Sequence, residues 1–296
     1  MTLSLNEDRL VKIKLQGTPS YPSHWPWSVG HDGVSRMTPS VGGITLNFRV
    51  GDSVSKFVSD HLEPGVSTTT EHDPKKRSSS SKDRAYNSYS CIGNTATIIS
   101  GEAKGATGIV TGHHGGIEHV IIDFDEDTMS KMSYDDKIMI TGYGSGLKIE
   151  EFPDISIFSL DPTLLKLINP TVKNSKLLFP VTKVIPACLM GSGLGTSEAY
   201  KGDYDIQTSD PVLNEELDLL SLKLGDIVAI KDHKNTFGPS YTKGAVSIGV
   251  IVHGNSYLCG HGPGVQIIMS SLSDIEPIIN TDSNIGKYLK IGRYQV

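Results

Sequence analysis

Between residues 96 and 149 the chain is a succession of short apolar runs cut by glycine: Thr97-Ile98-Ile99, Gly108-Ile109-Val110, His119-Val120-Ile121-Ile122-Asp123-Phe124 and Lys137-Ile138-Met139-Ile140. β-Rich runs separated by turns at such close intervals predict a compact sheet or barrel. Residues 10–15 alternate as a strand does. Two further strands are expected near the C-terminus, one over 226–230 ending at Lys231-Asp232-His233 and one over 245–252 ending at His253. Helices are expected in only two places. One is 159–168, where a Ser or Asp cap and Pro162 in the first turn precede apolar residues; the other is 212–222. The pattern predicts an α+β, β-rich protein with small or barrel-like sheets and few helices. A junction between 150 and 180 divides it into a β-rich domain over 1–155 and an α/β domain over 156–296, tightly joined.

At 296 residues and 37% hydrophobic content the chain can bury a large core. A net charge of −6 leaves no basic surface for a phosphate backbone, which argues against nucleic acid as a partner. No stretch approaches the roughly 20 apolar residues of a membrane span. The first nine residues are too polar for a signal peptide, so a soluble cytoplasmic protein is expected. Cys91, Cys188 and Cys259 lack CxxC spacing, which indicates neither a disulfide framework nor a structural zinc finger. Residues 21–27 gather proline and aromatics as an irregular arm does. Residues 71–83 contain no apolar side chain, which predicts a mobile surface insertion.

Glycine and histidine meet in two loops, 111–119 and 260–265, which hold six of the 31 glycines and four of the ten histidines. Histidines set among glycines are usually being presented by a loop, so these loops are read as walls of one polar site. In the first, His114, Glu118 and His119 supply two imidazoles and a carboxylate, the set a catalytic zinc requires. The HxxxEH spacing and the paired glycines depart from the helical zincin motifs, and a bare β-turn is the alternative. In a strand, Glu118 and His119 would point to opposite faces.

Four other constellations carry candidate chemistry. Asp60-His61-Leu62-Glu63 places three metal-binding or proton-moving groups before a Pro-Gly turn, although a surface turn uses the same residues. Asp203 and Asp205 share a face if their segment is extended, as a paired-carboxylate site or an Asx turn. Gly191-Ser192-Gly193 resembles an anion-binding nest, without the following helix that a dinucleotide fingerprint needs. Asp232-His233, His253 and His261 make a usable general-base arrangement, against the plain alternative of hydrogen-bonded core histidines. Cys91, just before Gly93-Asn94, and Ser192 are the candidate nucleophiles, but no G-x-S-x-G elbow is present and Cys91 reads equally as a buried small hydrophobe.

The stretches GGITLNFRVGDSV, DHLEPGVS, CIGN, GHHGGIEHV, MGSGLG, KGDYDIQTSD, GDIVAI and GAVSIGVIVHG through GHGPGV, over roughly residues 40–293, resemble a bacterial and fungal family defined by a domain of unknown function. That resemblance implies a two-part mixed α/β protein and no established activity. In site layout the chain is also similar to metal-dependent acetamidases and formamidases, through Gly202-Asp203-Tyr204-Asp205, Gly225-Asp226 to Asp232-His233, and Gly260-His261-Gly262. It departs from them where Gly225-Asp226 runs into an apolar strand and where GHGPG lacks an acidic residue.

The leading expectation is a divalent-metal enzyme, using zinc, manganese or magnesium, that hydrolyses, or adds or eliminates water at, a C–N or C–O bond of a small polar metabolite. His61, His114 and His119 are the expected ligands. Glu118, Asp203, Asp232, His253 and His261 are the acid/base candidates, and Gly191, Ser192, Gly193, Asp205 and Asn94 are expected to hold substrate. A metal-free lyase, cyclase or isomerase and a non-catalytic small-molecule binder stay open, as does homo-oligomerisation. One shared site requires His61 or His114 within about 10 Å of Asp232, His253 or His261.

Overall fold

The computed structural model describes residues 3–23, 27–77, 79–194 and 202–295. Six antiparallel strands close into a barrel in the order Ile13–Pro19, Ile138–Gly142, Thr95–Ile98, Thr107–His114, His119–Asp123 and Gly65–Thr69. Closure comes where Thr18 stands opposite Thr69. It removes the exposed edges of so small a sheet. The interior is filled by Leu15, Val66, Ile98, Val110, Ile122 and Ile140, all buried.

The second half is built on three antiparallel strands, Ile227–Lys234, Ser240–Ile251 and Gly264–Ser271. Every residue of Gly264–Ser271 is buried, because both faces of this sheet are covered. The short strand Tyr204–Asp205 pairs along its start. One face shares a continuous core with Ile92 and Ile121 of the first half, and the other packs Ile206, Val228 and Ile267 against Phe48 and Val54. The halves also join by backbone. His113 N donates to Gln266 Oε1 at 2.8 Å, and Gly115 N to Asp203 Oδ1 at 2.8 Å. The end of the barrel hairpin 107–123 is thereby pressed onto the start of the Gly264 strand.

The first expected helix forms as Pro162–Ile168, with Asp161 accepting from Thr163 N at 2.6 Å and Asn169 closing it in the left-handed region. The second is broken: Pro211–Glu216 ends before Asp218, whose φ is 49°, and Leu219–Ser221 continues as a 3-10 turn that buries Leu219 and Leu222. Residues 71–77 and 79–83, expected as a mobile surface insertion, are bonded to the rest of the chain. They form Pro74–Arg77 and the start of Ser81–Tyr89, and the buried Arg77 guanidinium donates to Glu71 O, Ile117 O and Ser20 Oγ. Asp83, also buried, accepts from Thr69 and Thr70. Polar bonds replace apolar packing here, and hydrophobicity does not register them.

Candidate metal centre

Where the two halves meet, six side chains converge in two sets. His114, Asp203 and His253 form one, and His61, Asp205 and His261 the other; within each set the candidate ligand atoms lie within 4.8 Å of one another. The barrel hairpin brings His114 at its last paired residue. The extended 203–205 segment brings both aspartates, the end of Ser240–Ile251 leads into His253, and the glycine loop presents His261. His61 sits in the 60–63 turn at φ 52°.

Partners outside the cluster fix the orientation of three imidazoles. A carboxylate and a carbonyl can only accept, so the histidine nitrogen facing one must carry the proton. His61 Nδ1 donates to Asp60 Oδ1 at 3.0 Å, itself held by Ser256 Oγ at 2.6 Å. His114 Nδ1 donates to Glu63 Oε1 at 2.7 Å, and His253 Nδ1 to Gly254 O at 2.8 Å. In each ring Nε2 is left for the cluster. Such outer partners are what hold histidines at metal sites. Inside, His253 Nε2 stands 2.9 Å from Asp203 Oδ2 and 3.4 Å from Asp205 Oδ1. His61 Nε2 and His261 Nδ1 meet Asp205 Oδ2 at 3.2 and 2.8 Å.

The surroundings set the charge states. Burial disfavours charge on Glu63, but His119 and His114 outweigh it and hold the carboxyl well below its usual range. Burial likewise opposes ionisation of Asp205, and the imidazoles of His253, His261 and His61 beside it lower it. His253 is raised well above an ordinary histidine because Asp203 and Asp205 overcome its burial. Burial and the neighbouring His253 push His114 down.

Two family models of a domain of unknown function cover most of the chain, the N-terminal DUF4438 domain over residues 27–166 and the C-terminal DUF4438 domain over 165–289. The chain belongs to the DUF4438 family. It is similar to the crystal structure of TM1086, with 42% sequence identity and a TM-score of 0.91 over 97% of this chain and 99% of that one. No curated protein matches it.

Within this DUF4438 chain, His61 and His114 stand among the six converging side chains, together with Asp203, His253 and His261, expected as acid/base groups, and Asp205, expected to hold substrate. The shared-site distance holds, since His61 Nε2 is 2.8 Å from His261 Nδ1. His119, expected as a ligand, is engaged at both nitrogens. Its Nδ1 faces Glu63 at 2.9 Å and its Nε2 accepts from Arg77 at 2.6 Å, so it supports Glu63 from behind. Glu118 takes a left-handed φ of 59° at the close of the turn, its carbonyl receiving Asn87, and belongs to neither set. Asp232, proposed as an acid/base group, sits at a bulge with φ 62° and accepts from Gly244 N at 2.7 Å, which serves the hairpin. His233 is buried between Tyr204 and Ser247, and burial lowers its pKa to about 4.

The expected substrate residues are tied up in structure. Asn94 spends its amide on Cys91 N, Tyr143 N, Tyr143 O and Asp161. Gly191 N donates to Asp205 O and Ser192 N to Gly260 O, so these amides hold the strand carrying Asp205 and the glycine loop before His261, and are not free for an anion. Gly193, at φ 93°, lies against Tyr204 and Asp203. The remainder of the glycine run, 195–196, lies outside the described residues. Cys91 is buried and its thiol is pushed up to about 12, which leaves it unsuited to nucleophilic attack.

Proposed function

We propose that this protein is a divalent-metal-dependent hydrolase acting on a C–N or C–O bond of a small polar molecule, with its metal held by His114, Asp203 and His253. One observation carries the reading: His253 Nε2 and Asp203 Oδ2 are both buried, face each other at 2.9 Å and make no hydrogen bond. Buried polar atoms are nearly always satisfied, and two that converge without bonding suit a shared cation. Two imidazoles and one carboxylate are the donor set of many catalytic zinc sites and also suit manganese; magnesium, which prefers oxygen donors, suits them less. Bound there, the metal would polarise the scissile group and lower the pKa of a coordinated water.

The chain's own contribution is orientation and enclosure. Glu63 and the Gly254 carbonyl aim His114 and His253, and side-chain exposure in the cluster reaches 29% at His261 but no more than 9% elsewhere. His261 is therefore the side on which the cluster is most accessible to a small molecule. The test is a panel of small amides, cyclic amides and esters presented to chelator-stripped protein and to protein reloaded with zinc or manganese. Turnover that vanishes on stripping and returns on reloading is expected. Equal turnover in both states would instead support the metal-free acid/base alternative.

A further inference from the structure

We propose that the cluster is a two-cation centre, with a second divalent ion held by His61, Asp205 and His261 and with Asp205 shared between the two positions. The inference rests on the metal reading above and adds a second binding site to it. The two oxygens of Asp205 address different sets: Oδ2 faces His61 Nε2 at 3.2 Å and His261 Nδ1 at 2.8 Å, whereas Oδ1 faces His253 Nε2 at 3.4 Å. A carboxylate so divided is placed to bridge.

The imidazole arrangement asks for a cation at this second position as well. His61 Nδ1 is committed to Asp60, which aims Nε2 at Asp205 Oδ2 from 3.2 Å, and His261 Nδ1 approaches the same point from 2.8 Å away. Three donors thus converge on one volume. They stand 2.8–3.2 Å apart, a little inside the roughly 3.4 Å between donors on a tetrahedral zinc, so loading needs only a few tenths of an ångström of expansion. The sets are neighbours: the His61 ring lies 5.3 Å from that of His253 and 6.0 Å from that of His114. Two-metal hydrolytic centres separate their ions by about 3.5–4 Å.

Charge balance agrees. Asp60, Glu63, Asp203 and Asp205 surround the cluster with four carboxylates whose side chains are at most 7% exposed. Buried charge needs compensation, and two divalent ions match these four negative charges.

The experiment is titration of chelator-stripped protein with manganese, read by bound manganese per chain after gel filtration and by low-temperature electron paramagnetic resonance. Two ions per chain and a spin-coupled spectrum are expected. His261→Ala, at the exposed edge, should reduce this to about one ion with an uncoupled spectrum. His61→Asn, chosen because asparagine tolerates the left-handed backbone, should do the same and stands in if His261→Ala does not fold. One uncoupled ion in the native chain, unchanged in both variants, would overturn the second site and leave the single-metal hydrolase standing. No bound manganese or zinc at all would overturn both.

Discussion

Glu63 is the residue on which the metal centre leans most heavily. Its two oxygens receive four donors: His114 Nδ1, His119 Nδ1, Ser67 Oγ at 2.6 Å and Gly42 N at 2.5 Å. Only an acceptor-only group satisfies that ring, so glutamine, nearly identical in shape, would turn an NH2 toward a donor. Glu63→Gln is expected to weaken metal binding about 10–100-fold and to lower the thermal midpoint, measured by calorimetric metal titration and by melting. Unchanged affinity would mean that Glu63 does not orient His114. The sequence displays Glu63 within a polar turn beside His61. What it does not display is the partner ring, because His114 and His119 reach Glu63 only after the barrel closes.

Among the elements, the legible parts were those whose signal is local. The apolar runs of 96–149 became barrel strands, and the Asp161-Pro162 start became a helix cap. The departures arise where tertiary contacts decide. The 212–222 segment breaks so that Leu219 and Leu222 can enter the core, and 71–83 is anchored by Arg77 and Asp83 through bonds to distant residues. Asp232-His233 reads as a catalytic strand end, yet a bulge turns one side chain to the hairpin and the other into the sheet. Gly264 was visible only as part of a glycine-rich loop. A Cβ there would overlap Asp203 Oδ2 and His253 Nε2, so the strand must be bare where it passes the cluster. Gly264→Ala should abolish metal binding while the far-ultraviolet circular dichroism stays β-rich; retained stoichiometric metal would show that the cluster can shift aside.

At the scale of the whole molecule, the candidate site exists because two halves share one core. Gly112 passes so close to Val252 that a side chain would collide, and Gly115 N reaches across to Asp203. His114 comes from one half, His253 and Asp203 from the other, and neither half alone holds a complete ligand set. Among the described residues no helix is long and apolar enough to cross a membrane. The most direct measurement of the central claim is anomalous diffraction from crystals of chelator-stripped protein soaked in zinc, recorded on both sides of the zinc absorption edge. The account predicts an anomalous peak about 2.0–2.2 Å from His114 Nε2, His253 Nε2 and an Asp203 oxygen. A map without a peak there, at saturating zinc, would contradict it.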